Sequence, residues 1–212
     1  MKTFLCRGLN GTVLLTILIL GTGTSAMAIE KAKYTVLEKN DKIEIRRYEP
    51  QIVAETFVDG DLKDAGSEGF RRLFAYISGD NTKKKSISMT APVEQKERSE
   101  KIAMTSPVGQ EKLNNQWRIT FLMPAEYTLE SLPEPTDERV KLVQEPARLV
   151  AAIRYSGRWS KEGYEKNKAL LQGYMLNHGY TAAGTPIWAR YDPPFMPWFM
   201  RRNEVLVPLK EF

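Results

Sequence analysis

Apolar and polar residues alternate along the chain in two distinct rhythms. Tyr34–Leu37, Ile43–Ile45 and Ile52–Val58 are short runs rich in β-branched and aromatic residues, separated by the turn residues Asn40-Asp41 and Glu49-Pro50, and they predict strands. The rhythm then changes. Phe70, Leu73, Phe74 and Ile77 fall at i, i+3, i+4 and i+7, the apolar stripe of a helix. Asp61 or Asp64 suits its start, and Gly79 suits the left-handed position past its end. Gly69, Arg72 and Tyr76 are read as a second ridge, away from that stripe.

Ile87-Ser88-Met89-Thr90-Ala91-Pro92-Val93 returns fifteen residues later as Ile102-Ala103-Met104-Thr105-Ser106-Pro107-Val108. Alternate residues of each copy would share one strand face, so the repeat predicts a long hairpin with matched apolar stripes that include Met89 and Met104. Each proline lacks a ladder donor and belongs at a strand end or edge.

The second half follows the same plan. Trp117–Met123 places large apolar groups at odd positions, Leu129–Glu138 reads as a loop, and Arg139–Val143 and Leu149–Tyr155 read as strands. A second helix is predicted from Ser160 to just before Gly179, burying Tyr164, Leu171 and Met175. Ile187–Tyr191 and Asn203–Val207 close the chain as strands. The recurrence points to a duplicated α+β unit, with two amphipathic helices packed on a curved antiparallel sheet or barrel.

The first 28 residues fit none of this. Lys2 and Arg7 precede an apolar run, Val13–Leu20, and Ala26-Met27-Ala28 has the small-x-small pattern of a signal-peptidase site. Gly21 and Gly23 interrupt the run well short of the roughly 20 residues a membrane span needs. The expectation is cleavage after Ala28, export to the periplasm, and one mature domain over residues 29–212. The only cysteine, Cys6, would leave with the signal peptide, so no disulfide is available to the mature chain. Its 29 cations against 26 acids form no clustered basic stripe, which argues against a nucleic-acid partner.

Candidate chemistry is sparse. A lone His178 and no mature cysteine exclude a Cys/His dyad and the common His-rich zinc sites. No Gly-x-Ser-x-Gly elbow or phosphate loop is present. His178 reads either as an axial ligand or as a last-turn histidine at a helix C-terminus. Two features invite a ligand. Gly69, Arg72 and Tyr76 would set a gap, a cation and a ring along one ridge, unless that ridge is simply solvated. Asp192–Met200 is a proline-stiffened loop holding Phe195, Met196, Trp198, Phe199 and Met200, followed by Arg201-Arg202. It would fold inward, cover a ligand, or touch a membrane or a partner.

Several motifs occur together in order: Ile43–Tyr48, Glu68–Gly79, the paired Met-Thr-Ala-Pro-Val and Met-Thr-Ser-Pro-Val, Tyr191-Asp192-Pro193-Pro194, and Arg201–Val205. In this order, over about residues 33–208, they resemble the SOUL haem-binding proteins. The resemblance implies a duplicated β-α-β-β unit forming a distorted antiparallel β-barrel with two packed helices. It also implies binding of haem or a related tetrapyrrole without catalysing a reaction; the chain is separately expected to be a monomer. The ligand would lie on an apolar surface by the first helix, with Arg72 near its carboxylates and the Met196–Trp198 loop alongside. Where some relatives carry a histidine proposed as iron ligand, this chain has Arg47. That departure implies a ligand held by stacking and carboxylate contacts, with Arg47 free to meet a carboxylate instead. The implied site is therefore Arg47, Gly69, Arg72, Tyr76, Met196 and Trp198. The fold also resembles effector-binding domains of bacterial regulators, so another small amphiphile is an alternative ligand.

Overall fold

The computed structural model describes residues 29–82 and 99–211. The expected signal peptide and the first copy of the repeat, with Met89, lie outside the described residues.

Strands β1 (Tyr34–Asn40), β2 (Ile43–Tyr48) and β3 (Gln51–Val58) lead into helix α1 (Leu62–Ser78). A two-residue strand β4 (Asn81–Thr82) follows, then β5 (Val108–Leu113), β6 (Gln116–Leu122), a two-residue β7 (Glu134–Pro135), β8 (Lys141–Glu145) and β9 (Arg148–Tyr155). Helix α2 (Lys161–Asn177), β10 (Ile187–Arg190) and β11 (Asn203–Pro208) complete the chain. The small strands β4 and β7 pair with each other; the other nine form one antiparallel sheet in the order β1-β2-β9-β11-β10-β5-β6-β3-β8.

Leaving out β1, that order reads the same from both ends when the two halves of the chain are exchanged. In one half β3 and β6 carry α1, and in the other β9 and β11 carry α2. The two-fold relation passes between β5 and β10, where Gly109 lies opposite Ala189. Each half lends its leading strand to the other: β2 pairs with β9, and β8 pairs with β3. Only Glu49-Pro50 joins β2 to β3, and only Pro146-Ala147 joins β8 to β9, although these strands stand near opposite ends of the sheet. Such short connections force the sheet to curl strongly. The result is the expected α+β fold of a distorted antiparallel barrel with two packed helices, here a curled half-barrel with both helices on its outer face.

Local chemistry explains the boundaries. Asp61 caps α1 by accepting from the amides of Lys63 and Asp64, each at 2.8 Å, and Gly79 takes φ 126° beyond its end. Ser160 caps α2, which buries Tyr164, Leu171 and Met175 as its spacing predicts. Asn114 and Asn115 both adopt positive φ, which suits the tight turn joining β5 to β6. The second copy of the repeat departs from the expected ladder. Ladder pairing begins only at Val108, because Pro107 has no N–H to offer. The amide of Ser106 donates to Glu30, and its carbonyl accepts from Ala32. Ile102 is buried and Met104 packs against the core.

The inward face of α1 also differs from its apolar stripe. Leu73 and Ile77 are buried, but Phe70 and Phe74 lie on the flank, stacked on one another at 5.8 Å. The helix instead presents Ala65, Gly66, Gly69 and Tyr76 to the sheet. Small residues let the two backbones approach closely, a packing that a search for large side chains at helical spacing does not detect.

Candidate functional site

Three of the expected site residues lie on α1, and the structure assigns them to packing. A Cβ at Gly69 would meet Cγ1 of Ile119 at 2.6 Å and its Cβ at 2.8 Å, so the expected gap is filled by the core. Tyr76 is closed to solvent and donates its hydroxyl to the Pro133 carbonyl at 3.0 Å, so it offers no exposed ring. The Gly69–Tyr76 ridge is thus the inward one, contrary to the sequence reading. Arg72, between them, pairs through Nε with Glu68 at 3.0 Å and donates to the Phe57 carbonyl at 3.2 Å. It ties α1 to β3.

Arg47 stands on the outer side of β2 and meets a carboxylate of its own chain, Glu211, at 2.8 Å. His178 is exposed, its Nδ1 lies 2.9 Å from the Tyr174 carbonyl, and its ring stacks on Tyr174. This is the helix-terminus reading. Among the described residues, no group of three or more His, Cys, Asp or Glu is arranged to hold a metal ion.

The inside of the curl offers no room for a large ligand. Its cavity, lined by Tyr48, Gly109, Ala189 and Leu206 among others, measures about 40 Å³, against roughly 300–1,000 Å³ for pockets that hold drug-sized molecules. Buried ion clusters occupy the rest. Arg118 pairs with Glu55, Glu111 and Glu145, all within 2.9 Å. Glu204, closed to solvent, accepts from Arg46 at 2.7 and 3.0 Å, from Arg202 at 2.8 Å and from the Tyr191 hydroxyl at 2.8 Å. Burial opposes ionisation of Glu204, but the hydrogen bonds and charges of its arginines outweigh it and hold its pKa below the ordinary value. These carboxylates stabilise the fold and face no open cleft.

The remaining expected residues, Met196 and Trp198, sit in a different setting. The loop consists of two successive turns, closed by Met196 N–H to Pro193 at 3.1 Å and Met200 N–H to Pro197 at 2.9 Å. Pro194 pre-sets the first turn. Arg201 clasps it from beneath, donating to the carbonyls of Met196 at 2.8 Å and Pro194. Four large apolar side chains then point outward: Phe195 is 85% exposed, Trp198 51%, Phe199 61% and Met200 62%. Arg158 lies over the Trp198 ring at 5.9 Å, and Arg201 over Trp159 at 4.7 Å. An exposed apolar cluster of this kind rimmed by cations fits a flat amphiphile that carries acid groups. Sequence reasoning found the loop and the Arg201-Arg202 pair after it but missed Arg158 and Trp159, which have no spacing signal.

A model of one family, SOUL heme-binding protein, matches residues 29–208. The chain belongs to the SOUL haem-binding protein family. Its relatives include Heme-binding protein 1 of Xenopus laevis, 25% identical over 182 residues, covering 84% of this chain and 90% of the relative. Heme-binding protein 1 of Sus scrofa is 24% identical over 183 residues, covering 84% and 92%. Among solved structures, a hydrolase from Listeria innocua superposes with a TM-score of 0.52 at 13% identity, over 82% of this SOUL chain and 94% of that one. The EcmrR C-terminal domain gives 0.50 at 10% identity, over 84% and 99%. At such identities these two likenesses concern the fold alone.

Proposed function

We propose that this SOUL-family chain is exported and binds haem or a related tetrapyrrole as cargo, without catalysing a reaction, for buffering, storage or transport. The observation that carries the site is the exposed quartet Phe195, Trp198, Phe199 and Met200, flanked by Arg158 and Arg201. The rings supply a surface for the macrocycle, and the guanidinium groups suit its carboxylates. Family membership supports the ligand class, and the family match beginning at residue 29 agrees with a domain that starts after Ala28.

Haemin titration followed by its absorption band and by quenching of tryptophan emission tests the reading. Losing one buried aromatic contact is worth about 1.5–3 kcal/mol, so Trp198→Ala weakens binding roughly tenfold to a hundredfold with unchanged stability. Wild-type affinity in both Trp198→Ala and Phe199→Ala rejects the loop as the site. Export is tested by the N-terminal sequence of the secreted protein, expected to start at Ile29. A second reading, membrane-surface docking through the same loop, is favoured by the 85% exposure of Phe195. Sedimentation with liposomes in the absence of haemin distinguishes it.

A further inference from the structure

Behind the loop, at the entrance to α2, lies a group of polar atoms that the fold buries with few partners. Tyr155, Asn203 and Arg190 are direct cross-strand neighbours on β9, β11 and β10. Asn203 Oδ1, Arg190 Nε and the indole N–H of Trp159 are closed to solvent and unbonded, while the Trp188 indole N–H, also closed to solvent, is placed to donate to the Tyr155 hydroxyl. Two of the three unbonded atoms donate, Asn203 Oδ1 accepts, and the Tyr155 hydroxyl keeps its own proton to give. Each such atom left unpaired carries a desolvation cost, so a concentration of them in one place calls for an explanation.

Arg190 is the centre of the group. Its guanidinium carbon lies 5.3 Å from the Trp188 ring centre and 5.4 Å from that of Trp159. Its one hydrogen bond goes to a neutral group, from Nη2 to Gln110 Oε1 at 3.1 Å. Gln110 is itself committed, donating to the Leu62 carbonyl at the start of α1. Among the described residues, no carboxylate pairs with Arg190, Arg158 or Arg201. The contrast with the inside of the curl is plain: there Arg46, Arg118 and Arg202 each hold carboxylates. Burial depresses the Arg190 pKa to about 10, because no anion offsets the desolvation. Tyr155, Trp159 and Arg190 nevertheless keep partial exposure, while Trp188 and Asn203 form a closed floor. The result is a seat of donors among partly exposed side chains, walled by indoles, with a cation and no counter-ion.

We infer that this seat binds the carboxylate of a flat apolar ligand, with Arg190 as its cationic partner and the Trp159 N–H and Tyr155 O–H groups as further donors. Guanidinium suits the planar fork of a carboxylate, and the flanking indoles suit an aromatic body attached to it. The carboxylate has two sources, a free aromatic acid or an acid side chain of a tetrapyrrole on the adjoining loop. The seat itself stands without the tetrapyrrole reading.

Isothermal titration of the mature protein with benzoate and with benzamide, its uncharged isostere, tests the seat directly. Benzoate is expected to bind at least tenfold more tightly than benzamide, and Arg190→Gln to abolish that preference. Without ligand, Arg190→Gln should unfold at the same urea concentration as wild type or a higher one, because it removes an unpaired buried charge. A second arm compares protoporphyrin IX with its dimethyl ester. An ester penalty of tenfold or more that vanishes in Arg190→Gln makes the macrocycle's own acid the occupant. Equal porphyrin binding alongside Arg190-dependent benzoate binding makes the occupant a separate aromatic acid. If wild type binds benzoate and benzamide alike, or Arg190→Gln binds benzoate as wild type does, the orphaned donors hold only water and the inference fails. Loss of all porphyrin binding with benzoate binding intact rejects the tetrapyrrole reading and leaves the seat standing.

Discussion

Replacing Gly69 by alanine distinguishes a glycine kept for packing from one kept for a ligand. Two opposing terms set the outcome. Alanine is favoured over glycine in a helix interior by about 1 kcal/mol. Against this, the new methyl group would lie 2.6–2.9 Å from three carbons of Ile119, a side chain closed to solvent. One of those carbons is the Ile119 Cβ, which cannot move aside by rotation, so α1 must lift from the sheet. Overpacking of this kind costs about 1–3 kcal/mol, and the rigid contact favours the upper half of that range. The net expectation is a loss of about 1–2 kcal/mol, or roughly 2–8 °C in Tm for a domain of this size. Gly173 on α2 is the internal control, since a Cβ there meets nothing within 4 Å. Gly173→Ala should therefore gain about 1 kcal/mol from helix propensity alone. Urea unfolding of both variants beside wild type gives the comparison, with haemin titration of the folded proteins in parallel. A Gly69→Ala protein at least as stable as wild type, with haemin binding lost, refutes the packing argument and returns the ligand to α1.

Three further outcomes are expected. Glu204→Gln leaves Arg46 and Arg202 without their shared counter-charge and should cost about 3–5 kcal/mol by urea unfolding; a loss below 1 kcal/mol contradicts the buried network. Glu204 and Glu145 are both held below their ordinary 4.5 in the folded chain. Their stabilisation should be complete above about pH 4.5 and lost as the pH falls through the depressed folded values, a dependence that Glu204→Gln should flatten in acid unfolding curves. Arg72→Ala, which removes ties to Glu68, Thr56 and Phe57, should lower stability by about 1–2 kcal/mol and leave haemin affinity within a few-fold; a tenfold loss at unchanged stability shows that Arg72 meets the ligand.

Both helices and most strands were legible because their signals are local, but β5 was expected over Ile102–Val108 and begins only at Val108. Ser160, Asp61 and Gly79 cap where their chemistry suggests, and Tyr164, Leu171 and Met175 point inward at helical spacing. The orientation of α1 was not legible, because Ile119 fills the space over Gly69 from 50 residues away and no periodicity records that contact. The same limit applied to the site. The loop announces itself through its prolines and rings, but Arg158, Trp159 and Arg190 acquire meaning only when strands distant in sequence set them beside it. Arg47 shows the converse: a motif position read for its ligand chemistry instead meets Glu211, near the other end of the chain.

The exchange of leading strands between the halves has a consequence for how the molecule comes apart. A half cut out by itself would lack one strand of its own sheet, and its leading strand would lose the partner it has in the other half: β9 for β2, β3 for β8. Neither repeat is then a unit that melts alone, and loss of β2 or β8 should propagate across the whole sheet. Calorimetric and van't Hoff enthalpies of unfolding should accordingly coincide, so that a chain built by duplication behaves as one cooperative body.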